Sequence, residues 1–433
     1  MEARRFDVVL YGATGFTGQQ AVEYFARRVH PGSLSWAIAG RDAGKLESIR
    51  RRLGDHASTV GVIVADSSDQ VAVDRMVSRT RVMLSTAGPF ALHGGALVDA
   101  CVRFGTHYVD ITGETAWVRG LLEQYHQRAA AAGTRIVPFC GFDSVPSDLG
   151  TMVLVRYIQR RLGVSCREVD AYFQLHGGFN GGTVATGFHQ AETTGRIGGG
   201  DPFLLNPPSP LSRRQILRSR DSGKISFSAE MGTWVGPFVM GSINTRVVRR
   251  SAALFAGWQV PYGTSFVYRE HQKNDPPLAA LKAAIGTAAL AGGRIALRLP
   301  PTRSLLRRIA PEPGTGPSRR SIEAGWFRCE MIGTAEDGRK AGLTIFHRGD
   351  PSNRATVRFV CESALCLAED GERLPGGLRR GGILTPATAF GDLLVGRLRG
   401  PDFQIDAGLL PLPGQSQVGG RGIRRLTRFG AAD

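Results

Sequence analysis

The sequence predicts an α/β fold with three parts: an N-terminal Rossmann-type parallel sheet, an inserted α+β substrate domain on a mixed or antiparallel sheet, and a C-terminal helix returning to the first domain. Three observations carry that prediction. Over residues 1–149, short apolar runs of strand type alternate with helix-compatible stretches, the order of a doubly wound sheet. From residue 150 to about 375, strand-like runs follow one another with no helix between each pair, which favours mixed or antiparallel pairing. From residue 376 to 433 the chain offers a glycine turn, a proline at a helix start and an amphipathic stretch. At 433 residues and 42% hydrophobic composition there is length for two domains and material for real cores.

The first strand is FDVVLY, residues 6–11, and Gly12, Ala13, Thr14, Gly15, Phe16, Thr17 and Gly18 follow it without a gap. The helix-compatible QQAVEYFARRV comes next. Strand, glycine turn and helix in that order suit a dinucleotide pyrophosphate. Gly12 allows a sharp turn, Gly15 lets backbone N–H groups approach phosphates, and Gly18 lets the helix pack closely, while the helix N-terminus supplies partial positive charge. The spacing is G-x-x-G-x-x-G, and a tight turn without a ligand is the alternative reading.

The second strand, residues 34–42, ends in Gly40 and Arg41. Dinucleotide sites that take NAD commonly place an acid at this point for the ribose hydroxyls, whereas an arginine pairs with a 2′-phosphate. Arg41 therefore indicates NADP(H), although the adjacent Asp42 is available to take the acid's role. The third strand runs to Asp66, which is expected either to bond an adenine amino group or to cap the next helix. The fourth, residues 81–90, ends in Thr86, Ala87, Gly88 and Pro89, small enough to let the nicotinamide ribose lie against backbone. Two further strands and helices carry the pattern to Leu149, the expected end of this unit.

The middle of the chain reads as strands at REVDAYFQLHG, ISFSAEMGTWVGPFV, INTRVVRRSAAL, GWFRCEMIGTA, KAGLTIFHRG and ATVRFVCESALCLA. A glycine-rich loop over residues 177–183 is either a lid or a plain connection. Residues 276–320 combine a small-residue apolar stretch with Arg298, Arg303, Arg307 and Arg308. That combination fits peripheral contact with a membrane interface, or a buried helix with a solvated basic end. No run of about 18 uninterrupted apolar residues occurs, which argues against a spanning helix. The last residues are basic and read as a loose strand or tail.

Composition narrows the class. The 54 Lys plus Arg against 37 Asp plus Glu give a formal charge of +17, which attracts nucleotides, acidic carrier proteins and anionic lipid. Nucleic acid is not indicated, since no recognition motif accompanies the charge. Six scattered cysteines without a C-x-x-C pair predict reduced thiols, a cytoplasmic setting and no metal site.

The segments YGATGFTG, AGRD, STAGPF, HYVDITGE, FCGFDSVPSDLG, INTRVVRRS, PGTGPSRR and ILTPATAFGD, with a GGT near Thr183, together resemble the saccharopine dehydrogenase-like oxidoreductases. Within that family the chain is most similar to the trans-acting enoyl reductases of mycobacterial lipid synthesis. The resemblance covers nearly the whole chain. It implies NADPH, a phosphate loop at residues 12–18 with its selector at Arg41, and reduction of an unsaturated acyl intermediate, lipidic and carrier-bound. No catalytic residue transfers with it. The broader family name implies a second reading, C–N chemistry on an amino-acid adduct. A third is a nucleotide-binding lipid-surface protein without turnover.

Enoyl reduction needs hydride at the β-carbon, an electrophilic contact for the thioester oxygen and a proton for the α-carbon. Tyr108, Thr112 and Ser144 follow strands on the expected ligand edge and are candidates for the contact. Asp110 and Asp143 are candidate proton donors if burial raises their pKa, or else turn and capping residues.

Overall fold

The computed structural model describes residues 4–178, 200–309 and 314–410. The expected lid residues 179–183 and the basic tail lie outside them. In chain order the elements are β1 Phe6–Tyr11, α1 Phe16–Arg28, β2 Trp36–Gly40, α2 Ala43–Arg51, β3 Gly61–Val64, α3 Gln70–Ser78, β4 Thr80–Ser85, α4 Phe90–His93, α5 Gly95–Phe104, β5 His107–Asp110, α6 Thr115–Ala131, β6 Arg135–Val137 and α7 Val145–Leu162. There follow β7 Cys166–His176, α8 Arg213–Arg218, β8 Ser226–Ser228, β9 Thr233–Pro237, α9 Gly241–Gly257, β10 Val267–Lys273, α10 Ala279–Arg298, α11 Pro300–Ile309 and α12 Arg319–Ala324. The described chain closes with β11 Trp326–Ala335, β12 Lys340–Arg348, α13 Thr356–Glu369, β13 Gly382–Ile383, α14 Pro386–Leu398 and β14 Phe403–Leu409.

The first sheet has the order β13-β6-β5-β4-β1-β2-β3 with every pair parallel. Strands of this kind are buried on both faces, which is why they read as unbroken apolar runs: Val8, Val9, Leu10, Ala37, Ile38 and Ala39 are all essentially inaccessible. Helices α1 and α13 cover one face, and α3, α5 and α6 the other. Because β1 leads out to β2 on one side while β4 continues on the other, the order reverses between β1 and β4. That crevice, beyond the strands' C-terminal ends, is where this class of sheet takes its ligands.

The second sheet, β14-β12-β11-β7-β10-β9-β8, is mixed: β7 and β10 are parallel and the remaining pairs antiparallel. Helix α7 joins the two sheets, with eleven of its eighteen residues buried. It lies close on the second sheet because Gly150 and Gly333 lack side chains. A Cβ at Gly150 would meet Met331 Cε at 2.7 Å, and one at Gly333 would meet Ile158 Cδ1 at 2.6 Å. One continuous apolar cluster runs from β1 through α7 to β14.

Two expected strands are helices. INTRVVRRSAAL forms α9, whose buried Asn244, Val247, Val248, Ser251, Leu254 and Phe255 recur at helical spacing; its β-branched run mimics a strand. ATVRFVCESALCLA forms α13, buried on nearly every side between the first sheet and α14, so that periodicity cannot separate it from a strand. The C-terminal return is made by a strand as well as a helix. Gly382–Ile383, expected to be only a turn, adds the seventh strand beside β6, and Thr385 caps α14 with Pro386 in its first turn. The chain then leaves again as β14, at the edge of the second sheet.

Arg250 holds this return in place. It is 3% exposed on α9 and donates to Leu205 O and Ile383 O, both at 2.6 Å. Arg250→Ala leaves two buried carbonyls without donors, and urea unfolding should show a loss of about 2–5 kcal/mol. A change below about 0.5 kcal/mol would show that the seam does not depend on it.

Candidate active site at the sheet edge

The glycine loop is shaped by contact with its neighbours. Gly12 has φ +83°, and a Cβ there would meet the Ala87 amide at 2.9 Å and Thr86 Oγ1 at 3.0 Å. Thr86 in turn donates its amide to Tyr11 O at 2.9 Å and its hydroxyl to Gly12 O at 3.2 Å. The Gly12 and Ala13 amides are taken by Ala39 O, at 3.0 and 3.2 Å. At Gly18 a Cβ would overlap the Gly12 carbonyl oxygen, so this glycine is required for the helix start to pack. Gly15 differs: a Cβ would meet only Gly12 O, at 3.3 Å, and the space around it is open.

Helix α1 begins at Phe16 with Gly15 as N-cap, no side chain capping it and no acid in its first turn. Its first-turn amides have no carbonyl partners within the helix, so its positive end is available to an external anion. Thr14 and Thr17 lie within this turn, and Thr14 O accepts from Gln19 Nε2 at 3.1 Å. The Phe16 ring presses on the loop before α12, where any side chain at Gly316 would overlap it. That contact was not visible from the sequence.

At the end of β2, Arg41 is exposed and makes no hydrogen bond or ion pair with a described residue. Asp42, the rival for the ribose, instead caps α2 by accepting from the Lys45 amide at 3.0 Å. Asp66 folds back on Ser68, accepting from its amide at 2.9 Å and its hydroxyl at 2.7 Å. The cap of α3 is Asp69, so the capping role expected of Asp66 falls three residues later. Ala87, Gly88 and Pro89 border the crevice between β1 and β4. The Gly88–Pro89 bond is cis, and the first amides of α4 donate to Glu114 at 2.6 and 3.0 Å. These features fit NADPH: an open phosphate turn at a helix N-terminus, a free guanidinium at the ribose position and no uncommitted acid beside it.

The four expected catalytic groups fall into different settings. Tyr108 and Asp110 are fully buried and paired, the hydroxyl donating to Asp110 Oδ2 at 2.9 Å. Asp110 Oδ1 also accepts from the Thr112 amide at 3.0 Å and the Phe139 amide at 3.3 Å. Burial pushes its pKa up to about 7, against the lowering effect of those donors. Thr112 Oγ1 receives the Glu114 amide at 3.0 Å. Ser144 is buried and donates to Asn244 Oδ1 at 3.2 Å.

Asp143 stands apart. It is half-buried in the loop between β6 and α7, beside Gly113 and Ile243, and its carboxyl bonds to no described residue. Burial alone raises its pKa to about 7. Of the four, it is the group whose polar atoms no described residue engages.

Beneath Asp143 a polar seam crosses to the second sheet. Asn244 Nδ2 donates to Glu270 Oε2 at 3.0 Å, and Ser147 and Tyr268 donate to Glu270 Oε1 at 2.5 and 2.7 Å. Asp148, one residue further along α7, accepts from Ser251 at 2.5 Å and from the Ala387 amide at 2.8 Å. Burial raises both carboxyls to about 7. The INTRVVRRS stretch, which supplies Asn244 and Ser251 to this seam, forms a helix where the sequence predicts a strand.

Two outcomes follow from these environments. Arg41→Ala should reduce the preference for NADPH over NADH by about 1.5–3 kcal/mol, the value of a lost charged hydrogen bond, in fluorescence titrations of both nucleotides. Unchanged discrimination would displace the phosphate from Arg41. Glu270 titrates higher folded than unfolded, so its contribution is complete below its ordinary value and disappears as pH rises to about 7. Glu270→Gln, which cannot ionise, should therefore show a smaller decline in unfolding free energy from pH 5 to 8 than the parent. Parallel curves would contradict the shift.

Comparison with known proteins gives the same reading. Residues 8–137 match the family model for the saccharopine dehydrogenase NADP-binding domain. A trans-acting enoyl reductase of Mycobacterium ulcerans is 37% identical over 412 residues, covering 91% of this chain and 96% of that one. The trans-acting enoyl reductase of Mycobacterium tuberculosis strain H37Rv is 37% identical over 415 residues, covering 92% and 96%. Among solved structures, saccharopine dehydrogenase (L-Glu forming) from Saccharomyces cerevisiae aligns over 94% of this chain and all of that one, with a TM-score of 0.51 at 12% identity. Homospermidine synthase from Legionella pneumophila, solved with NAD, aligns over 97% and 95% with a TM-score of 0.51 at 10% identity. The two structures share the fold, and the relatives at 37% identity decide the family: the chain is an NADP-dependent oxidoreductase of the saccharopine dehydrogenase-like family and belongs with its trans-acting enoyl reductases.

Proposed function

We propose that the protein is an enoyl reductase that saturates a carbon–carbon double bond in a carrier-bound acyl intermediate of lipid synthesis, working in the cytosol. The observation that carries this reading is Asp143: a half-buried carboxyl, its pKa raised by burial to about 7 and without a hydrogen-bond partner among the described residues, beyond the ends of β5 and β6 on the sheet edge that bears the phosphate turn. The names of the relatives at 37% identity support the same reaction. Six free, buried cysteines are consistent with a reducing compartment.

When bound, NADPH supplies a hydride for the β-carbon of the alkene. Gly12 to Gly18 and the N-terminus of α1 would hold its pyrophosphate, and Arg41 its 2′-phosphate. The chain's part in the chemistry is the α-carbon proton. A carboxyl with a pKa near 7 is largely protonated on the acidic side of neutrality and still acidic enough to donate. Its neighbours are Gly113 and the apolar Ile243: a Cβ at Gly113 would lie 3.5 Å from Asp143 Oδ2 and 3.1 Å from Ile243 Cδ1. Of the two candidate proton donors, Asp110 is engaged by the Tyr108 hydroxyl and by the Thr112 and Phe139 amides, which leaves Asp143 as the preferred donor.

NADPH oxidation should proceed with an enoyl thioester and not with saccharopine. Oxidation with saccharopine alone would favour the C–N reading, and binding of NADPH without oxidation by either would favour a non-catalytic role. Asp143→Asn should lower kcat about 10²-fold or more, with NADPH affinity unchanged. The parent rate should also fall above about pH 7 as Asp143 deprotonates, and the variant should lack that limb. A variant with parental kcat and parental pH profile would remove Asp143 from the reaction.

A further inference from the structure

Helix α10 has two opposite faces. Ala279, Ala283 and Thr287 pack toward β9, where a Cβ at Gly236 would meet Thr287 Oγ1 at 3.1 Å. On the other side Leu281, Ile285, Ile295 and Leu299 are each half or more exposed. At 100° per residue these four fall within one stripe, nearly opposite the packed face, and only Ala288 and Gly292 lie along the stripe between Ile285 and Ile295. Leu278 before the helix and Leu305 on α11 extend the apolar surface. Beside β9, Phe227 and Trp234 are exposed and stack edge to face at 6.0 Å.

The charge along this stretch has one sign. Residues 276–311 contain six Lys or Arg and no Asp or Glu. A soluble partner with an apolar groove would account for the stripe alone. The stripe, the one-signed charge of the segment and the exposed aromatic pair together match a surface with an apolar interior, an anionic face and an interfacial layer for Trp. Over Ala279–Leu297 the mean hydropathy is 1.3, and by length and composition this 19-residue stretch passes for a membrane-crossing helix, although Lys282 and Arg294 interrupt its apolar run. Its packing on β9 instead directs it to lie along a surface with the stripe outward.

We propose that α10 and α11 form a peripheral docking site for an anionic lipid bilayer. The site does not depend on the reductase reading. It is tested by flotation of the full chain with phosphatidylcholine vesicles, with and without about 30 mol% phosphatidylglycerol. The chain should float with the anionic vesicles and much less with the neutral ones. Lys282→Gln with Arg308→Gln should weaken partitioning roughly 30-fold, from about 1 kcal/mol for each basic group. Ile285→Glu with Ile295→Glu should abolish it while NADPH affinity stays at the parental value. Absence of flotation, equal binding to both vesicles, or unchanged binding by the Glu variant would overturn the proposal. So would light scattering that shows a dimer dissociated by the same two Glu substitutions, which would assign the stripe to a second copy.

Discussion

The constraint on which the rest of this structure depends is the need to satisfy polar groups in the seam where two sheets share one helix. Helix α7 is buried between them and carries Ser147 and Asp148, both fully buried, into that seam. A buried carboxyl without partners would cost several kcal/mol or give up its charge. Here Glu270 meets Ser147, Tyr268 and Asn244, and Asp148 meets Ser251 and the start of α14. Apart from the Tyr268–Glu270 bond within β10, these bonds join separate elements of the chain, so that satisfying the seam also sets how the nucleotide sheet and the second sheet sit against each other.

The same rule explains why the site lies where it does. Arg249, Arg250 and Arg135 are buried and donate mainly to backbone carbonyls, closing α9, β13 and the return of the chain around the seam. Arg246 pairs with Asp221 at the seam's margin. Asn244 is at once the partner of Ser144 and of Glu270, so the residue next to Asp143 is fixed from below. Asp143 itself is left at the rim with no described partner. An isolated acid in that position is costly to ionise, and a raised pKa of this kind is what proton donation near neutrality needs.

How much of this was legible in the sequence depended on the range of the interaction concerned. The glycine turn, the strands of the first sheet and Arg41 were readable because strand, turn and helix follow within a few residues. Asp42 could be resolved only by seeing its bond to Lys45, a local cap that the sequence allowed without requiring. Helix α9 was misread because its β-branched run mimics a strand, and α13 because it is buried on nearly every side, which hides the amphipathic signal. Asp110 and Asp143 looked equivalent as acids after strands. What separates them is Tyr108 and the Phe139 amide on one, and no described hydrogen bond on the other. Ser147 and Glu270 are 123 residues apart, and no local pattern announces their pairing.

A reductase built on this plan must pass hydride from its nucleotide to carbon within the crevice and take the second hydrogen from a protein acid. Single-turnover reaction of the full chain with NADPH deuterated at C4 and an α,β-unsaturated acyl thioester, followed by mass spectrometry and NMR of the product, follows both hydrogens directly. The expected product is a saturated thioester with one deuterium at the β-carbon and, at the α-carbon, a hydrogen that originates from solvent by way of the acid. Deuterium at the α-carbon, or deuterated NADPH recovered unchanged beside unreacted thioester, would contradict it.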